Sequence, residues 1–252
     1  MVEPGLTNRL NLLLEEYFDD FLRGKRTLEQ MMPEIYRAIK GNFETEFDEA
    51  ITINWYDNRR LINDYRNNIN KWSIARNYKQ TKEITDFLYV NMGDITQPKI
   101  EEFLTSNKSR YNQSWLDTEI KTLRNTVQNV NNFETFPADS YLRYSTANDE
   151  KVRHAHAALD GLTMAKNDGR WQYLMPPPAS SPFNCRCRVV PVYNVDESKD
   201  VDKRTQELSK LSDIPLSKVK SEVHPIWSGE IFNSSQTYFK GVPSKILRKN
   251  EI

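Results

Sequence analysis

The chain is poor in the residues that usually carry chemistry. Its 252 residues include only 2 cysteines and 3 histidines. Two cysteines one residue apart cannot build the disulfide framework of a small secreted domain. Neither G-x-x-x-x-G-K-[ST] nor G-x-G-x-x-G occurs, so both common phosphate-cradling loops are missing. No apolar run approaches the roughly 18 residues of a membrane span. The opening MVEPGLTNRL has no basic flank and no uninterrupted apolar core; no signal peptide is expected, and synthesis is placed in the cytoplasm. Net charge is absent as well. Lys+Arg and Asp+Glu are both 35, which excludes a global electrostatic pull towards nucleic acid. Internal repeats and sustained heptads are also lacking.

Aromatic residues, by contrast, are plentiful: 5 Trp, 12 Tyr and 11 Phe, too many for a disordered chain. The mean hydropathy of −0.74 is low for a single compact globule. A core serving part of the length is expected, with the rest exposed helix or tail that leans on partners. One large or two small domains fit this length.

In chain order, Leu10, Leu13, Leu14, Phe18, Phe21 and Leu22 form an apolar helical stripe that Gly24 breaks. Thr27 followed by Gln30 fits a capping box ahead of Met31, Ile35 and Ile39, and Gly41-Asn42 reads as a stop. Leu61, Tyr65, Ile69 and Trp72 lie along one face of an Asn/Arg-rich helix over residues 44–88. Such a stripe reads as packing. Asn91 to Asp94 and Pro98 mark a break. Trp115, Leu116, Ile120, Leu123 and Val127 define a helix over 109–131, ended by Phe133, Phe136 and Pro137.

The stretch from Tyr141 to Val192 gathers the distinctive residues. Tyr141–Ser145 predicts a strand, Asn148 or Asp149 a cap, and Lys151–Asp160 a helix closed by Gly161. Leu162–Ala165 predicts a second strand, and Asn167-Asp168-Gly169 a hairpin turn before Trp171. Met175 to Pro178 must be extended, and Cys187–Val192 predicts a strand edged by Pro191. Arg143, Arg153 and Arg186 are candidates for pairing with Asp149, Asp160 and Asp168, since the guanidinium fork can hold two carboxylate oxygens.

His154, His156, Cys185 and Cys187 have the number and softness of a zinc ligand set. On a helix, H-x-H turns its rings about 200° apart, whereas C-x-C on a strand puts both thiols on one face. A zinc site, a small buried cluster with local hydrogen bonds, and a disulfide to another chain all remain open. A bond directly between Cys185 and Cys187 would be strained. A Cys185–His154 nucleophile pair or a hydrolytic carboxylate pair is formally available, with no orienting third group identified.

The order D-x-K-V-R-x-x-H, L-D-G, W, P-P-P, N-C-R-C and P resembles the phage Mu F-like head morphogenesis family, also called minor head or minor capsid proteins. The matching residues run from Asp149 and Lys151-Val152-Arg153 through His156 and Leu159-Asp160-Gly161 to Trp171 and Pro176-Pro177. Asn184 to Cys187 and Pro191 complete them. Tyr111–Ile120, YNQSWLDTEI, is similar to the helix that precedes this domain in relatives, and Phe232 and YFKGVP are similar to prophage tails. The histidine that relatives often carry between the prolines and the C-R-C is missing from Ala179–Phe183.

The resemblance implies a virion protein of the capsid interior or portal vertex, made in the host cytoplasm. It also implies portal or major capsid protein as partner, with DNA contact and self-association as further options and no membrane. The fold expected is α+β: a mainly helical arm or docking region over 1–132, a Mu F-like core with a short antiparallel sheet over 133–197, and a linker with an anchored irregular tail over 198–252. The function expected is head assembly without catalysis. The alternatives are a metal-stabilised DNA-binding protein acting in packaging or ejection, and a Cys/His/Asp enzyme or toxin-related domain. No cofactor is expected, unless zinc binds His156, Cys185 and Cys187, with His154 the poorer candidate. Arg143, Asp149, Arg153, Asp160, Gly161, Asp168, Trp171, Pro177, Asn184 and Arg186 are expected to specify shape.

Overall fold

The computed structural model describes residues 4–176, 183–192, 225–232, 239–244 and 246. Helices dominate: α1 (Pro4–Leu22), α2 (Leu28–Ala50), α3 (Trp55–Val90), α4 (Gln97–Asn107), a π-helical segment (Lys108–Trp115) and α5 (Leu116–Thr135). A small α+β region follows, with β1 (Tyr141–Ser145), α6 (His154–Ala157), β2 (Thr163–Ala165), α7 (Trp171–Leu174) and β3 (Arg188–Val192), and later a 3₁₀ turn, Pro225–Ser228. The fold is therefore the mainly helical α+β class expected. No described helix is long and apolar enough to cross a membrane.

The helix ends follow their local chemistry. Gly24, at φ 66°, closes α1, with Gly24 N–H bonded to Phe21 O and Lys25 N–H to Asp20 O, the paired bonds of a Schellman stop. Thr27 N–H donates to Gln30 Oε1 at 2.9 Å, one half of the capping box. The stop expected at Gly41-Asn42 is absent, because α2 runs on to Ala50. Ile35, Ile39, Phe43 and Phe47 are buried at steps of four across that point, so burial of the stripe outweighs the intrinsic cost of one exposed glycine.

Two compact units emerge from the contacts: residues 1–46, 66–120 and 234–252, and residues 47–65 and 121–233. In the first, Phe87 and Phe103 stack at 4.1 Å, with Phe18 near both rings, and Trp72 meets Phe239 edge-on. The stripe of α3 is packing, with Tyr65, Ile69 and Trp72 fully buried. Burial then extends all round the helix from Trp72 to Asn77, beyond the one packing face read from the sequence. Buried polar partners make that possible, as shown below.

The second unit carries the sheet, in the order β2-β1-β3 and antiparallel throughout. Leu142 and Tyr144 point inward from β1 while Arg143 faces out. Pro191 pairs with Leu142 from edge strand β3, a position where a missing N–H is tolerated. Ile226, Ile231 and Phe232 are buried in this unit, and Tyr65 Oη donates to Ile226 O at 2.7 Å. Gly229, at φ +78°, passes so close that an added Cβ would lie 2.3 Å from Asp64 Cβ.

Two local expectations need correction. The helix over Lys151–Asp160 shrinks to His154–Ala157. Asp149 Oδ1 and O accept from Lys151 and Val152 N–H in an Asx-type turn, Arg153 is extended at ψ 145°, and from Leu159 the bonds tighten to i→i−3. Asn167-Asp168-Gly169 is no hairpin turn, for β2 pairs back to β1. Asp168 Oδ1 accepts Arg170 N–H at 2.9 Å and winds the chain into α7 instead. Pro177, Pro178, the linker from 198 and Tyr238 lie outside the described residues.

Candidate functional site

The turn at Asp149 and the loop before β3 come together in the second unit. Asn184, in left-handed backbone at φ 56°, turns the chain so that Cys185 and Cys187 are buried while Arg186 between them is exposed. This is the alternation a C-x-C segment imposes on extended chain. Arg186 grips Asp149 with both fork nitrogens, each at 2.6 Å. That bond holds the Asp149 carboxyl below its ordinary range. Arg153 donates to Phe183 O at 2.8 Å, clamping the other end of the loop.

α6 presents His156 to the two thiols, and its Nδ1 lies 3.6 Å from each sulfur. His154, two residues earlier, is exposed, as the 200° rotation of an H-x-H pair requires. The imidazole at Cys185 is therefore His156, and the Cys185–His154 pair considered above is not formed. Hydrogen bonding to Cys185 holds the Cys187 thiol below its ordinary value, and His156 adds to this. The same bond, together with burial, pushes Cys185 up. Burial likewise raises Tyr144 well above the ordinary tyrosine value, with Cys187 the next cause. Among the described residues, His156 Nε2 and Tyr144 Oη are buried without a hydrogen-bond partner of regular geometry.

Asparagines of α5 hold the loop from behind. Asn125 Nδ2 donates to Cys185 O at 2.9 Å, and Asn129 Nδ2 to Cys187 O at 3.1 Å. Asn129 Oδ1 accepts from Val189 N–H at 2.8 Å, and Asn132 Nδ2 donates to Val189 O at 3.3 Å. Spacing of four and three places these residues on one helical face. They satisfy the outward backbone groups of edge strand β3, which would otherwise be open to pairing. Sequence reasoning missed them. The available signal was that N-x-x-x-N-x-x-N spacing, set among apolar residues of the neighbouring face.

The remaining expected residues take structural posts. Asp160 Oδ1 accepts from Thr146 N–H at 2.7 Å, fixing the end of β1. Gly161, at φ 76°, donates its N–H to Tyr144 O and starts the β1–β2 pairing. Asp168 pairs with Arg170, a residue not singled out from sequence, and Arg143 Nε lies 3.3 Å from Thr163 Oγ1. Trp171 is buried and donates from Nε1 to Ala165 O at 3.0 Å. Beside it, Phe133, Lys166, Gln172 and Trp227 line a pocket of about 520 Å³. Lys166 there is already committed to Glu134 O and Phe136 O.

The first unit holds a second polar centre, around the π-helical segment. Arg76 and Glu119 are both buried and pair at 2.9 Å, and Arg76 also donates to Tyr111 O. Gln80 donates to Asn107 and Asn112 Oδ1, and Asn112 donates to Asn11. The widened π turn shifts carbonyls out of the usual i−4 register, and Arg76 takes up one of them. Tyr111, Asn112 and Glu119 of the YNQSWLDTEI stretch thus meet partners from α1 and α3.

Comparison with curated proteins and with solved structures gives no match. A family model described as Phage Mu protein F like protein matches residues 29–190, beginning well upstream of the Asp149–Cys187 motifs and taking in both polar centres. The chain belongs to the Phage Mu protein F-like family, a family of phage head morphogenesis proteins.

Proposed function

We propose that this chain is a minor capsid protein that assists head assembly at the portal vertex or on the inner capsid surface. The family match over residues 29–190 carries the proposal. The local geometry supports it. Asp149, Arg153, Asp160 and Arg186 are each bonded to a neighbouring segment of the same unit, so the residues that distinguish the sequence brace the loop before β3 and the end of β1. A rigid small domain of this kind presents a fixed surface to a large assembly and needs no reaction to do so. Portal or major capsid protein is the partner that this role requires.

Co-expression with the portal and major capsid proteins of its own genome tests the proposal. The expected result is co-purification with one of them and the protein's presence in isolated heads. Absence from heads, with normal particles formed after its deletion, would overturn the assembly role. Gel shifts of the isolated chain at two salt concentrations separate the alternative, because a packaging or ejection factor that grips DNA phosphates loses affinity steeply with salt.

A further inference from the structure

We propose that His156, Cys185 and Cys187 form a zinc-binding site that staples α6 to the loop before β3. This site stands on side-chain geometry and is independent of which head component the protein meets.

The three ligand atoms lie within 4.8 Å of one another, and all three residues are buried. Tetrahedral zinc, with bonds of about 2.3 Å to sulfur and about 2.0 Å to nitrogen, spaces an S···N ligand pair by roughly 3.5 Å. Both observed separations are 3.6 Å. Hydrogen bonding alone accounts for that symmetry poorly. One imidazole nitrogen has either a single proton or a single lone pair, so two equidistant thiols can share it only in a weaker three-centre contact. A cation at the centre matches all three at once.

Charge points the same way. Two thiolates and one Zn²⁺ sum to zero, which suits a buried position where an isolated ion would be costly. Two sulfurs and one imidazole are ligands that zinc favours. The carbonyls of Cys185 and Cys187 are tied to Asn125 and Asn129, which fixes the sulfur positions before any ion arrives. Three protein ligands leave the fourth tetrahedral position to water. The Tyr144 hydroxyl, buried in the same region beside Cys187, is available to hydrogen-bond that water. His154 is exposed and takes no part.

Metal analysis of the full chain, purified without chelator from zinc-supplemented cells, tests the site. The expected content is one zinc per chain, retained by H154Q and lost by the double variant C185S/C187S. Should that variant fail to fold, the unmodified chain supplies a second measurement. Its zinc is removed with chelator and Co²⁺ is added, and the expected spectrum shows tetrahedral d–d bands with thiolate charge transfer. Zinc well under one equivalent in the unmodified chain, together with no thiolate–cobalt band, overturns the proposal. Equal zinc in the unmodified chain and in a folded C185S/C187S overturns it too, since the metal then sits elsewhere.

Discussion

Asp149 and Arg186 form a bidentate pair on the surface, and its contribution has a definite pH dependence. The arginine lowers the carboxyl from its ordinary 3.8, so the folded chain favours the ionised form. Stability from this pair is complete above the unfolded-chain value of about 3.9 and is lost as pH falls through the lower folded value. Thermal unfolding of Asp149→Asn beside the unmodified chain, over a series of pH values, should show a gap in Tm near neutrality that closes on acidification. A gap of constant size would show that the pair does not titrate this way. The buried pair Arg76–Glu119 behaves differently. Removing Glu119 alone strands a guanidinium in the core, and Glu119→Ala should cost about 3–5 kcal/mol in urea unfolding. The double change Arg76→Met/Glu119→Leu should recover much of that loss, because no charge is then left buried. Gly229→Ala combines left-handed backbone with a collision against Asp64, and should cost more than the roughly 1 kcal/mol expected for strain alone at Gly24.

Between elements, the decisive join is the asparagine face of α5 against β3. Asn129 bonds both Val189 N–H and Cys187 O; Asn129→Ala leaves the buried Val189 N–H unpaired and Cys187 O with only the long 3.4 Å bond from Asn125, at about 1–3 kcal/mol. Asn129→Asp retains the acceptor for Val189 and loses the donor to Cys187. Amide hydrogen exchange at Val189 should therefore accelerate in Asn129→Ala far more than in Asn129→Asp. Equal acceleration in both would remove the Val189 bond from the explanation. The join was invisible from sequence, because Asn125 and Cys185 are sixty residues apart and only the fold brings them together. By contrast, the Schellman stop at Gly24 and the capping bond at Thr27 were legible, since each is settled within six residues. The end of α2 at Ala50 was not, because a stripe of buried isoleucines and phenylalanines overrode a glycine that local rules treat as a stop.

Over the whole molecule, the segment 225–232 belongs to the second unit's core even though the chain reaches it last. Ile226, Ile231 and Phe232 are buried, and each such side chain is worth about 1.5–3 kcal/mol. Domains have net stabilities of only about 5–15 kcal/mol. A chain ending at residue 224 should therefore show strong dye binding to exposed apolar surface and a broadened unfolding transition; a sharp transition at an unchanged Tm would refute this. The sequence by itself determined the helix-rich α+β class, the strand at Tyr141–Ser145, the inward pairing of Cys185 with Cys187, and the family. These follow from periods of 3.6 and 2 and from the order of motifs along the chain, all of which are local or linear properties. Only the tertiary structure decided that asparagines of α5 hold the loop before β3, that Asp168 takes Arg170, and that Ser73, Arg76 and Asn77 are core. Each of these depends on which distant groups desolvate together, and the energy of a buried polar group is set by partners that no neighbouring residue supplies.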